Sequence, residues 1–371
     1  LKLSVIILNY KVPQHLMLCL DSVTKAIESI DAEIIVIDNN SADKSCELVK
    51  QNFTEVNLIR NTENSGFSKG NNKGVKKAKG EYLCILNPDT VVPEDCFTKL
   101  FKYHQELENP GAIGVQLVDG TGEFLEESKR NIPIPRVAIK KLLGNSSSYY
   151  NFDLKKDENG PTDILVGAFM FMETHLFQDI GGFDEDYFMY GEDIDLSYRI
   201  HKAGFQNYYF GESKVLHYKG ESTTKDQEYL KNFFNAMYIF YKKHFKNYTN
   251  SFKLVKQSLK LSMVFEKMKL KSIKPNKQNF KKVYLISKDK SLKNKLETKV
   301  SLEINLISRI STTTKDTLIV MDADQIEYRD CIKTIVDLKS RNNVFRIKPR
   351  NYNFMIGSES KYVKGEVIDL S

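Results

Sequence analysis

Cysteine is scarce in this chain, and the few present have no organised spacing. The five (Cys19, Cys46, Cys84, Cys96 and Cys331) form no CxxC pair and no metal-ligand pattern, which argues against a zinc site or a disulfide framework. They read as small buried or partly buried side chains in a reducing cytoplasm. Long apolar runs are missing too: no stretch reaches about 18 residues, so no membrane-spanning helix is expected. The opening LKLSVIILNYK lacks a small-residue cleavage site and reads as a first strand rather than a signal peptide. After that strand stands LNYKVPQH, not a Gly-rich basic loop, which counts against a nucleotidyltransferase. No aromatic-basic module of the RNP kind occurs, so nucleic acid is not an expected partner.

What is present suits a two-domain globular protein. The 371 residues allow roughly two domains at ~150 residues each, and 41% hydrophobic content supplies their cores. The net charge of +7 says little until the charge is located. LSVIILN (residues 3–9), EIIVID (33–38), a short strand at 56–60 and YLCIL (82–86) read as buried strands. Helical patterns separate them, so the expected fold is α/β with a mostly parallel sheet flanked by helices. In such sheets ligands bind at the carboxyl ends of the strands. Asn9, Asp38, Asn87 and Asp89 fall at those ends. In NPDT, Pro88 turns the chain sharply so that Asn87 and Asp89 can aim outward. Oxygen ligands of this kind suit Mg2+ or Mn2+ together with substrate phosphates; a plain type I turn is the alternative.

The densest run of chemistry is GGFDEDYFMYGEDIDLSYRIHKAGF, residues 181–205. Six carboxylates alternate with five large apolar residues, which predicts an aromatic-walled loop entering a helix near Gly191. Glu192, Asp195 and Arg199 share one face of that helix, and Asp193 points elsewhere from its first turn. Acidic residues also favour a helix N-terminus for the macrodipole alone.

Taken in order, SVIILNY, Asp38, NSGFSKGNNKG, LNPDT, GAFMF (167–171), the 181–205 run and His217 resemble a family 2 glycosyltransferase of GT-A fold, close to its rhamnosyltransferase-like members. The resemblance covers roughly residues 1–245. It implies donor contacts at Asn9, Asp38, Asn64, Gly66, Asn71, Asn87 and Asp89, and a divalent metal, Mn2+ or Mg2+, at Asp89 with His217. Here the family's DxD-like motif has an amide, Asn87, for its first carboxylate. Asp193 is implied as catalytic base, with Glu192 its neighbour and alternative. Gly167, Arg130 and Tyr190 are expected on the acceptor side. An inverting transfer needs one base for the acceptor hydroxyl and stabilisation of the departing diphosphate.

Residues 119–163 interrupt the strand–helix alternation and read as a mobile loop over the acceptor side, with Lys129 and Arg130 available to a diphosphate or acidic acceptor. An aromatic helix is expected over 223–248. The strongly basic, amphipathic stretch that follows suits an anionic membrane surface or a solvated linker. The domains are therefore 1–245 (GT-A glycosyltransferase domain), 246–279 (basic helical linker) and 280–371 (small C-terminal α/β unit). Asp322 and Asp324 form a second DxD-like pair, read as a strand-end turn. The function expected is transfer of a sugar, rhamnose from dTDP-rhamnose first and a UDP-sugar second, to a glycan or polyprenyl-linked acceptor in surface polysaccharide synthesis. The setting expected is the cytoplasm, with peripheral attachment to the inner membrane face. A non-catalytic nucleotide-sugar-binding or scaffold protein and a sugar nucleotidyltransferase are the alternatives.

Overall fold

A computed structural model of the chain describes residues 1–142, 144–220, 227–245, 280–358 and 365–371. Strands β1 (Leu3–Asn9), β2 (Ala32–Asp38), β3 (Asn57–Arg60) and β4 (Tyr82–Leu86) alternate with helices α1 (Pro13–Ala26), α2 (Ser45–Asn52) and α3 (Gly66–Val75). Their side chains explain the layering. Leu3, Val5 and Ile7 of β1 pack against Leu16, Leu20 and Val23 of α1, while Ile6 faces Val75 of α3 on the other side. A period of two thus buries both faces of the strand, as its unbroken apolar run predicts. β1 runs parallel to both β2 and β4, with Asn9 opposite Asp38 and Ile7 opposite Leu86. The polar residues that end these strands therefore gather along one sheet edge.

Beyond the fourth strand the sheet becomes mixed. It continues through β5 (Thr90–Val91), α4 (Cys96–Gln105), β6 (Pro110–Val118), α5 (Pro135–Leu142), β7 (Asn159–Pro161), β8 (Phe169–Glu173), α6 (Thr174–Asp179), α7 (Glu192–Lys202) and β9 (Gln206–His217). The strand order is β3-β2-β1-β4-β8-β6-β9-β5, with β7 alongside β9. β8 is antiparallel to β4, and β5 pairs antiparallel with β9 so that Thr90 faces His217. This hairpin-like edge brings the NPDT turn beside the late histidine across 130 residues of chain. The architecture is the mostly parallel, helix-flanked sheet expected of a GT-A-type domain. Helix α8 (Gln227–His244) then packs Phe234, Met237, Phe240 and Tyr241 against Ile194 of α7. The basic stretch 246–279 lies outside the described residues.

Residues 280–371 form a second sheet. It holds β10 (Lys282–Ile286), α9 (Lys290–Glu297), β11 (Ile304–Ile307), β12 (Thr317–Asp322), α10 (Tyr328–Asp337), β13 (Val344–Lys348), β14 (Phe354–Gly357) and β15 (Glu366–Asp369), in the order β11-β10-β12-β13-β14-β15. One apolar cluster crosses between the sheets: Leu18, Val91, Leu216 and Tyr218 pack with Tyr328, Ile332, Ile335 and Ile356. A polar network seals its border. Asp21 receives Arg350 Nη2 at 2.6 Å and the Tyr328 hydroxyl. Glu94 accepts the first backbone N–H groups of α10, from Tyr328 at 2.6 Å and Arg329 at 2.9 Å.

The segment expected as a mobile loop over the acceptor side is tied into the fold by backbone hydrogen bonds. Arg130 and Ile164 exchange backbone hydrogen bonds at 3.0 and 2.9 Å, and Asn131 N donates to Tyr149 O. Ser128, Lys129 and Arg130 are all buried. Lys129 Nζ bonds Asn151 O, a local demand that its charge alone did not reveal.

Candidate active site

Three strand ends, the start of α3, the start of α7 and one face of α8 enclose a half-open cavity of about 450 Å3, within the usual size of a small-ligand site. Asn87, Pro88, Asp89 and His217 form one end. Glu192 and Asp193 lie on the floor beside Gly167. Met189, Tyr190, Phe233, Ala236 and Met237 make an apolar wall. Phe233, Ala236 and Met237 sit three and four residues apart on α8, which places them on one face.

The Gly/Asn turn is held to the sheet by Asn39. Its Nδ2 donates to Asn64 Oδ1 at 2.8 Å and to Gly66 O at 3.1 Å. Its Oδ1 accepts from Asn61 Nδ2, Ser65 N and Ser65 Oγ, each at 3.0 Å. Gly66 has a left-handed φ of +79°, and a Cβ there would lie 2.3 Å from Phe188 O. Only glycine fits this approach. Asn39 is the residue the sequence reading passed over, although it directly follows Asp38. Asn64, Gly66, Asn87 and Asp89 line the cavity with it. Asn9, Asp38 and Asn71 do not. Asn9 Nδ2 is spent on Asp38 Oδ1 at 2.9 Å and Ser41 Oγ at 3.0 Å, and Asn71 Nδ2 bonds Phe67 O within α3. These three support the wall from behind.

At the metal-ligand end, His217 Nε2 lies 3.3 Å from Asp89 Oδ1 and 3.4 Å from Asn87 Nδ2. Asp89 Oδ1 is buried and has no hydrogen-bond partner among the described residues. Burial would raise the Asp89 pKa, but the His217 and His15 charges outweigh it and hold the carboxyl below its usual range. A buried carboxylate paired with His217, an imidazole and a side-chain amide are group types that suit a divalent cation. No group of three or more His, Cys, Asp or Glu side chains able to hold a metal occurs among the described residues. The donor set here is thus incomplete on its own. The other DxD-like pair differs: Lys348 Nζ bonds Asp324 and lies 3.2 Å from Asp322 Oδ1, while Ser287 Oγ donates to Asp322 Oδ2 at 2.7 Å. An internal ammonium already neutralises that site.

The floor is built by α7. Tyr190 (φ +70°) and Gly191 (φ +76°) are both left-handed, and this tight entry points the first turn of the helix into the cavity. Asp195 faces away. It holds Arg199 Nε at 2.6 Å and His244 Nε2 at 2.6 Å, and Arg199 ties on to Ile180 O and Gly182 O. Asp193 faces inward, its Oδ2 accepting from Arg130 Nη2 at 2.7 Å and Gly167 N at 3.2 Å, its Oδ1 from Ile194 N at 2.8 Å. Glu192 Oε2 is buried without a partner among the described residues. Burial, reinforced by the Asp193 charge, pushes the Glu192 carboxyl well above the usual range. The two adjacent carboxyls thus differ in surroundings: Asp193 is hydrogen-bonded to Arg130 and Gly167, whereas Glu192 is buried with its pKa pushed up. Arg130, expected to meet a diphosphate or acidic acceptor, lines the cavity and turns its Nη2 to Asp193 and to Leu165 O. Tyr149 and Lys141, which also line the cavity, had no readable signal in the sequence.

The chain is similar to known proteins over its first part. Residues 4–181 match the family model for glycosyl transferase family 2. The chain is 27% identical over 257 residues to an N-acetylglucosaminyl-diphospho-decaprenol L-rhamnosyltransferase of Mycobacterium tuberculosis, covering 64% of this chain and 83% of that one. It is 26% identical over 212 residues to the rhamnosyltransferase WbbL of Escherichia coli, covering 53% and 79%. Among solved structures, GalNAc-T7 with UDP, GalNAc and Mn2+ aligns at 20% identity and a TM-score of 0.49, over 64% of this chain and 47% of its own, so the chain spans about half that protein's length. With its strand-end motifs gathered on one cavity, the chain carries in residues 4–181 a glycosyl transferase family 2 domain, and it is similar to rhamnosyltransferases.

Proposed function

We propose that the protein transfers a sugar from a nucleotide-diphosphate donor to a hydroxyl of a glycan or lipid-linked acceptor, with inversion at the sugar's C1. The observation that carries this reading is the position of Asp193 on the floor of the cavity that Asn87, Asp89 and His217 close at one end. The donor diphosphate occupies that end, and Asn39, Asn64 and Gly66 border it. The acceptor enters past Gly167, Tyr190 and the apolar wall. Asp193 Oδ1 accepts one hydrogen bond and keeps a lone pair for the acceptor proton. As the O–H bond breaks toward Oδ1, the acceptor oxygen bonds C1 from one face. The C1–O bond to diphosphate breaks on the other face, and its electron pair leaves with the phosphate. General-base help of this kind contributes about 10²–10⁴-fold. Asp89 and His217, with Asn87, would hold Mn2+ or Mg2+, which supplies charge neutralisation to the diphosphate.

Rhamnose from dTDP-rhamnose is the favoured donor, on the strength of the two rhamnosyltransferases to which the chain is similar; a UDP-sugar is the second reading. A polyprenyl-diphosphate acceptor is supported by the name of the mycobacterial relative and by the apolar wall. No helix among the described residues is long and apolar enough to cross a membrane, and the protein would meet such an acceptor peripherally at the cytoplasmic face. A donor panel with Mn2+, Mg2+ and EDTA, read as nucleoside diphosphate release, tests the reading. Release from dTDP-rhamnose lost on chelation is expected. Release from UDP-sugars alone would move the donor to the second reading, and turnover untouched by EDTA would remove the metal.

A further inference from the structure

Arg130 and Asp193 come from distant parts of the chain, yet they meet inside the protein. Their side chains lie 2.7 Å apart, the guanidinium 7% and the carboxylate 11% exposed. Burying such a pair has a large desolvation cost, so its presence on the floor of the cavity calls for a reason. Arg130 is held from two sides: its backbone by Ile164 and a guanidinium nitrogen by Leu165 O. The pair therefore sits in a fixed frame. Tyr149 stands behind it with Lys141 above the phenol ring, 3.2 Å from its centre. Burial would raise the Tyr149 pKa, but the charges of Arg130 and Lys141 override it and bring the phenol below its usual range.

Resting on the assignment of Asp193 as base, we propose that Arg130 is a positioning residue for the reaction. It fixes the Asp193 carboxylate in the rotamer that leaves Oδ1 toward the acceptor, and it places a cation against Oδ2. The groups facing Asp193 are Glu192 on its own helix, Arg130 and Tyr149 from the inserted segment, and Lys141 of α5 behind Tyr149. The α8 residues on the cavity, Phe233, Ala236 and Met237, bring no charge. Arg130 is thus the one cation hydrogen-bonded to Asp193 among the described residues. The inserted segment then delivers this cation as well as lining the cavity with Lys141 and Tyr149.

The test uses the full-length protein with donor and acceptor. For Arg130→Gln, kcat at pH 7 should fall about 10–100-fold while donor binding by calorimetry stays within about twofold. The acid limb of kcat against pH should move up by about one unit or more, as expected when an opposite charge within ~4–6 Å is lost. Arg130→Lys should return the limb toward the parent position without restoring full kcat, since an ammonium supplies charge but not the planar fork. An unmoved acid limb in both variants would overturn the proposal. So would a Gln variant that loses donor affinity and turnover in parallel, because a purely structural role predicts that. If Arg130→Gln does not fold, as judged by thermal melting, the Lys variant decides by its turnover: a reduced kcat with donor affinity unchanged is expected, and parent kcat or a parallel loss of donor affinity overturns the proposal. Asp193→Asn separates the two readings: if it retains turnover, the base assignment fails first, and if it is inactive with donor binding intact, the Arg130 result stands by itself.

Discussion

At the scale of single residues, the adjacent acids of α7 are distinguished by their surroundings. Glu192 keeps its proton in the folded state at pH values where the unfolded chain has released it, above about 4.3. Its folded pKa is raised, so this group takes stability away as pH climbs from the unfolded value toward the folded one. Glu192→Gln has no proton to lose. It should melt higher than the parent by a margin that grows from pH 5 to pH 8, and it should retain most transfer activity. Asp195 has the opposite sign. Burial would raise its pKa, but the His244 hydrogen bond and Arg199 bring it below the usual range. Its contribution is present above the unfolded value of about 3.9 and is lost as pH falls through the folded one. Asp195→Asn leaves Arg199 and His244 without their carboxylate, and urea denaturation at pH 7 should show a loss of about 3 kcal/mol. Asn87 offers a third test. Because it supplies an amide where a carboxylate would add charge, Asn87→Asp should lower the Mn2+ concentration for half-maximal turnover by roughly several-fold.

At the scale of elements, the start of α3 depends on the loop before α7. Phe67 N donates to Phe188 O at 2.6 Å, and Gly66 leaves no room for a side chain against the same oxygen. Gly66→Ala forces either the loop or the helix to move, at a cost of about 1–3 kcal/mol. Thermal melting should record that loss, and turnover should fall with it because Tyr190 shares the displaced loop. These elements also show what a sequence can tell. Strands β1, β2 and β4 were legible because burial on both faces writes an unbroken apolar run. Glu192 and Asp193 were legible because a helix start and an aromatic loop leave a local pattern. The inserted segment was not. Lys129 and Arg130 look solvated in sequence, and only partners 22 to 63 residues away, Asn151 and Asp193 among them, make them buried. Strands β5 to β9 escaped for the same reason, since an antiparallel strand such as β8 takes its meaning from β4 and not from its own residues.

At the scale of the whole molecule, the two sheets share an interior. Leu18, Val91, Val118, Leu216 and Tyr218 of the first are buried against the second. A chain ending at residue 245 would present that face to water and leave Asp21 without Arg350 and Tyr328. Such a truncation is expected to aggregate or to melt well below the full chain, and scanning calorimetry of the intact protein should give one transition rather than two. Arg350→Ala, which opens only the polar border, should lower the melting temperature without splitting the transition.

Glu94 belongs to the first sheet's domain, yet it caps the first turn of α10 in the second. The helix that begins there borrows its start signal from outside its own sheet. Recombination that carried residues 280–371 onto another enzyme would leave that signal behind, together with Leu18, Leu216 and Tyr218, which complete the core. The two halves are therefore poor currency for domain shuffling. Lineages in which this C-terminal unit is retained should be found to vary it in step with α1 and the segment after β5, the surfaces on which it rests.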